Sequence, residues 1–202
     1  MKLDTALYQL KNHTLGFLQA HLLSLAGSAQ SGPRVNYLCY YDNAQGPNEG
    51  FAISTFPYAT TYQALDYKVY KALHVHSVRM IPQTEHLDLS DIEPYVLDGT
   101  GPDLMVTAQL SGCVFAIRQE PGRLIVAHIQ PGGTRQSGAM LRQTVKLVGR
   151  FANYGRVTHV FGVGDYNPRA HLVGIRKGGT WEIYAQSVAS GSGPVQRAMR
   201  II

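Results

Sequence analysis

Leu3, Leu7, Leu10, Leu18, Leu22 and Leu25 recur at the spacing of one helix face and predict an amphipathic helix over residues 3–25, ending near Gly27 and packed on the body of the domain. The segment GSAQSGPR then breaks the chain. Beyond it, short aromatic and β-branched runs predict strands: VNYLCYY (35–41), GFAISTF (50–56), YKVYKALHVHSV (67–78), DLMVTAQL (103–110), CVFAIR (113–118) and RLIVAHI (123–129). Residues 132–155 read as a second helix, with Leu141, Val145, Val148 and Ala152 on one side. RVTHVFGV, AHLVGIRK and TWEIYAQSV close the chain as strands, the last two joined by a KGGT hairpin turn. Residues 83–103 read as loop with one helical turn at SDIEPYV. Strands in runs, with few helices between them, predict an α+β fold: a β-sandwich-like core of mixed sheets with peripheral helices.

Length and composition fit this picture. A chain of 202 residues suits one domain with its own core, and 21 glycines and 10 prolines suit many tight connections. The charge is uneven. Residues 83–103 hold six acidic and no basic residues, whereas residues 134–202 hold ten basic against two acidic ones. A basic third can steer an acidic protein, a nucleic acid or an anionic membrane, but it also serves as an ordinary solvated surface. It carries no expectation of nucleic-acid binding. Two cysteines make no disulfide framework. Lys11 and His13 interrupt the first apolar segment, which reads neither as a conventional signal peptide nor as a membrane span.

The chemistry concentrates at QLSGCVFAIRQEPGRLIVAHI, where Cys113 and His128 stand fifteen positions apart. The Pro-Gly connection predicts a hairpin. A four-residue loop sets Cys113 opposite His128; a two-residue loop sets Cys113 opposite Gln130 and His128 diagonal to it. Both registers leave the two side chains on one face, with Cβ atoms about 5 or about 7 Å apart. A bulge at Ser111-Gly112 would disturb the count. A free thiol has a pKa of about 8.5. A neighbouring imidazolium stabilises the thiolate and then protonates a leaving group. Gly112 lets a carbonyl approach the backbone, and the amides near Gly112 and Cys113 offer an oxyanion site, with Ser111 shaping it.

LSGC followed by a histidine one strand later resembles the cytotoxic necrotizing factor family and the smaller Burkholderia lethal factor of the same fold. The fifteen-residue gap fits the necrotizing factors, and TAQLSGC places Thr107 where the lethal factor type has its third catalytic member. Bacterial chemoreceptor glutamine deamidases are similar at this level. The matching region is short, about residues 104–129. The resemblance implies a β-sandwich with helices around it. It also implies a Cys113–His128–Thr107 site that deamidates a glutamine of a folded host protein, a Rho-type GTPase or a translation initiation helicase among the substrates of those toxins. No cofactor and no metal are expected. A monomeric toxin or effector, secreted by an unconventional route or delivered into a host cytosol, is the expectation. A cysteine peptidase or transglutaminase using the same pair, and a non-catalytic interaction module with a buried Cys113, are the alternatives.

Cys39 reads as core, and Trp181 as core or as part of a satellite cluster under the last strands. His74 and His76 share a strand face and, with His86, lack the cysteine or carboxylate that completes a metal set. QPGGTRQSG lacks the Gly-Lys-Ser/Thr ending of a P-loop and reads as a loop shaping the site beside His128. Asp165 is the second candidate to orient His128.

Overall fold

A computed structural model of the chain describes residues 1–41, 50–55, 70–82, 89, 92–132, 136–189 and 194–202. Helices α1 (Leu3–Asn12) and α2 (Thr14–Ala20) open it, followed by strands β1 (Leu22–Leu25), β2 (Gly32–Tyr41), β3 (Gly50–Ser54), β4 (Tyr70–Val78), β5 (Met80–Ile81) and β6 (Tyr95–Leu97). Next come β7 (Leu104–Thr107), β8 (Val114–Glu120), β9 (Arg123–Ile129) and helix α3 (Gly138–Val148). The chain closes with β10 (Arg150–Phe151), β11 (Gly155–Arg156), β12 (His159–Phe161), β13 (Arg169–Lys177), β14 (Thr180–Val188) and β15 (Val195–Arg200).

The fold is α+β with a sandwich of two mixed sheets. Among the described residues, the larger sheet runs β1-β3-β2-β4-β7-β13-β14-β15 and the smaller β12-β8-β9-β5, with β6 also on β9. Strand alternation sorts the apolar residues into layers. Met105, Leu172, Trp181, Ile183 and Ala185 of the large sheet meet Cys113, Phe115, Ile117, Leu124 and Val126 of the small one. On its other face the large sheet buries Val106, Val173 and Ile175 against Leu3, Ala6, Leu10, Phe17 and Leu18 of α1 and α2. The small sheet's outer face sets Val114, Ala116, Ile125 and Ala127 against Leu141 and Val145 of α3. The large sheet also curls. Gln186 Oε1 and His171 Nδ1 accept the amides of Leu23 and Leu25 at 2.9 and 3.3 Å, so β13 and β14 reach the free edge of β1 through side chains.

The predicted helix over 3–25 is corrected: it breaks at His13 and ends at Ala20, and Leu22–Leu25 is a strand parallel to β3. All four residues of that strand are buried, so both of its faces are apolar and its leucines fall on the helical stripe by coincidence. The second helix is shorter than predicted. It starts after its N-cap, Ser137, whose side chain accepts the Met140 amide, and stops at Val148; Arg150–Arg156 forms a small hairpin instead. The helical turn expected at SDIEPYV is also corrected within its described part. Ile92 bridges to Phe151, and Tyr95–Leu97 pairs with β9. The KGGT turn is as expected: Lys177 pairs with Thr180, and Gly178 and Gly179 both adopt positive φ, which a two-residue turn of this hand requires.

Candidate active site

The hairpin takes the two-residue turn. Glu120 pairs with Arg123 and Phe115 with His128, so Cys113, two residues before Phe115, lies diagonal to His128 on the inter-sheet face. Cys113 itself precedes the strand, at a corner. Leu110 still bonds to Ala170 of the large sheet in both directions, and Val114 already belongs to the small one. Ser111 and Gly112 make the crossing, with Gly112 at φ +81°, where a side chain is strained. The N-terminus of α3 sits on this corner: a Cβ on Gly138 would lie 2.3 Å from the Gly112 carbonyl oxygen and 2.6 Å from Val163 Cγ2. The Tyr166 hydroxyl donates to the Cys113 carbonyl at 2.8 Å and pins the turn from the other side.

A second corner places Thr107. The chain passes from the large sheet (β4) to the small one (β5) across Arg79. Val78 pairs with Thr107, and Met80, two residues on, pairs with His128. One sheet-switching segment therefore brings a residue of β7 against a residue of β9. Thr107 Oγ1 stands 2.8 Å from His128 Nδ1 and 2.8 Å from the Val78 carbonyl oxygen.

This arrangement fixes the proton on the imidazole. A carbonyl only accepts, so the hydroxyl proton of Thr107 goes to Val78, and its oxygen accepts from Nδ1–H of His128. His128 Nε2 is then the free base, buried and without a hydrogen-bond partner among the described residues. Both His128 and Thr107 have no exposed surface, and Cys113 keeps 3%. Burial lowers the imidazole to about 4, from an ordinary 6.5. Burial also raises the Cys113 thiol, against a smaller opposing effect of the Ser111 backbone. Both shifts favour the uncharged thiol and the uncharged imidazole over the thiolate–imidazolium pair. Cys113 Sγ approaches the Ser111 carbonyl oxygen at 3.9 Å and Met80 Sδ at 4.0 Å; it makes no hydrogen bond to Nε2.

The structure thus brings Cys113, His128, Thr107, Ser111 and Gly112 to one pair of corners. Asp165 lies elsewhere in its bonding: its carboxylate takes Arg142 Nε at 2.9 Å, Arg142 Nη2 at 2.5 Å and the Gly162 amide at 3.0 Å, which leaves Thr107 as the partner of His128. Cys39 and Trp181 are core, each 3% exposed. His76 engages both ring nitrogens, with the Tyr95 hydroxyl at 2.8 Å and the Thr100 carbonyl oxygen at 3.3 Å; His74 is exposed and His86 lies outside the described residues. No group of three metal-ligating side chains occurs among the described residues. Of the loop expected beside His128, Pro131 is described and lies 3.7 Å from where a Gly112 Cβ would stand.

One neighbour of the site carried no sequence signal. Met80 pairs beside His128 only because the strand changes sheets at Arg79. A cavity of about 360 Å³ opens at that corner between β5 and β6, lined by Gln30, Ser31, Arg79, Glu93, Tyr95 and Ala127 among others. A larger one, about 500 Å³, lies around Pro121, Gly122 and Trp181; Cys113, His128 and Thr107 line neither cavity.

No protein-family model matches the chain, and no curated protein matches it.

Proposed function

We propose that the protein is a cysteine-dependent protein glutaminase, which converts a glutamine side chain of a host protein to glutamate and acts as a bacterial toxin or effector. The observation that carries this reading is the relay Val78 carbonyl–Thr107 hydroxyl–His128 Nδ1, which leaves an unpartnered base, Nε2, on the face that holds Cys113. A buried imidazole with a spare nitrogen costs stability, so a role outside the fold accounts for it better than packing does.

In this reading His128 Nε2 takes the thiol proton as Cys113 Sγ attacks the carboxamide carbon. Amides at the Gly112–Cys113 corner hold the tetrahedral oxyanion, and Ser111 lines the approach. His128 returns the proton to the departing ammonia, and a thioester remains. Water, activated by the same nitrogen, releases glutamate and restores the thiol. Because the resting pair is neutral, the proton moves during attack rather than before it. An amine in place of water gives transglutamination. A slender side-chain carboxamide suits a thiol set 3% exposed in a corner better than a main-chain peptide bond does, and this favours deamidation over peptidase chemistry. The basic residues from 134 onward suit an acidic host protein. The substrate is a folded host protein, with Rho-type GTPases and the translation initiation helicase as the first to test; the enzyme acts as a monomer, needs no cofactor, and reaches the host cytosol by an unconventional or assisted route.

One observation favours the alternative of a non-catalytic module: Sγ and Nε2 are not hydrogen-bonded. The two readings separate on ammonia release from candidate host proteins. An enzyme releases it with wild-type protein and not with Cys113→Ser or His128→Ala, provided circular dichroism shows both variants folded; a module releases none with any of them.

A further inference from the structure

Met80 is not part of the chemistry described above, yet its side chain approaches the sulfur, beside the Ser111 carbonyl oxygen. It stands on β5, in parallel register with His128, so both side chains rise from the same face of the small sheet. Cys113 lies on the opposite flank of β9, just before β8. The backbones of β5 and β8 are therefore two strand spacings apart, about 10 Å. Met80 Sδ nevertheless lies 4.0 Å from Cys113 Sγ. To make that contact the methionine side chain crosses β9 at the level of His128. A carboxamide carbon that bonds to Cys113 Sγ must displace the thioether from this contact. His128 has no exposed surface and Cys113 keeps 3%, whereas Met80 is only partly buried.

The chemistry of the side chain matters. A thioether donates no hydrogen bond and accepts only weakly, so it packs on the thiol while Nε2 stays without a hydrogen-bond partner among the described residues. Three rotatable bonds let it leave by side-chain rotation alone, without moving β5. A glutamine carboxamide offers what the thioether lacks, an N–H for Nε2, while the displaced methionine can line the glutamine's methylene stem.

We propose that Met80 is a displaceable plug of the Cys113–His128 site, which keeps the thiol closed at rest and forms an apolar wall against the side chain that enters. Met80 is on this account a positioning and specificity residue. The proposal rests on the Cys113–His128 site being a reactive one, but its test does not require the substrate.

The test is the rate of iodoacetamide labelling of Cys113, resolved by peptide mapping, in the full-length protein. Cys39, also 3% exposed, is the internal control for global opening. Met80→Ala is expected to speed labelling of Cys113 by about tenfold or more while Cys39 stays at its wild-type rate. Met80→Thr, a second truncation, serves if the alanine variant is poorly folded. An unchanged Cys113 rate in a folded variant overturns the plug, as does a wild-type Cys113 that labels as fast as an exposed cysteine. A rise in both cysteines together also overturns it, because the substitution then acts on the whole fold. If Cys113 is unmasked in Met80→Ala and no host glutamine is converted by any form, the plug stands and the glutaminase reading fails.

Discussion

Thr107→Val removes the hydroxyl at the centre of the relay and keeps the shape of the side chain. In the folded protein it leaves His128 Nδ1–H without its acceptor and strips the Val78 carbonyl of one donor, both in a region with no exposed surface at Thr107 and His128. An orphaned buried polar group costs about 1–3 kcal/mol, so the two together cost about 2–4 kcal/mol, since a carbonyl that loses one of two lone-pair partners suffers less. Thr107→Ser restores the hydroxyl and removes one buried methyl, for about 1 kcal/mol. Urea unfolding of the two variants and the wild type, with equal slopes, reads the difference directly. The ordering expected is wild type, then serine, then valine. Activity follows the same order for a separate reason: without the hydroxyl nothing holds the proton on Nδ1, and the free base at Nε2 is lost from part of the population. A Thr107→Val protein within about 0.5 kcal/mol of the wild type, a spread typical of surface substitutions, refutes the relay.

The remaining predictions concern the buried histidines and the corner. Burial holds both His128 and His171 at about 4 in the folded state, with Arg169 adding to the effect at His171, whereas an unfolded chain has its histidines near 6.5. The stability of the neutral forms is therefore present above about pH 6.5 and is lost as pH falls toward 4, by about 3 kcal/mol per histidine; urea midpoints that stay level across this window contradict it. Gly138→Ala places a methyl 2.3 Å from the Gly112 carbonyl oxygen and must displace the Ser111–Gly112 corner, so it is expected to lose about 1–3 kcal/mol and most of the activity; a variant as stable and active as the wild type shows that α3 does not brace the site. Asp165→Ala frees Arg142 and the Gly162 amide and is expected to cost about 1 kcal/mol with the pH profile of turnover unchanged; a large loss of turnover in a stable protein returns the orienting role to Asp165.

The strands of the hairpin were legible because alternation, β-branched content and a Pro-Gly turn agree there, and the same-face relation of Cys113 and His128 survives either register. Leu22–Leu25 was not, because a strand buried on both faces has no period of its own and borrows that of the preceding helix. The edge strand Val195–Arg200 escaped for the opposite reason: Gln196, Arg197 and Arg200 are exposed and interrupt its apolar pattern. The Thr107–His128 contact joins two sheets, and only the resemblance of TAQLSGC to the lethal factor type pointed to it. Strand parity within β7–β8 could not place it, since it depends on where the chain changes sheets, at Arg79 and at Ser111–Gly112. Met80 belongs to the same class of feature: its role follows from a corner, and no local pattern announces a corner.

Mass spectrometry of host-cell proteins incubated with the protein tests the central claim most directly. Peptide maps are compared after treatment with wild type, with folded Cys113→Ser and with buffer. A specific glutamine is expected to become glutamate with the wild type alone, with ammonia released in equal amount. Host proteins whose glutamines stay unconverted under all three treatments, or a conversion that Cys113→Ser performs as fast as the wild type, contradict it.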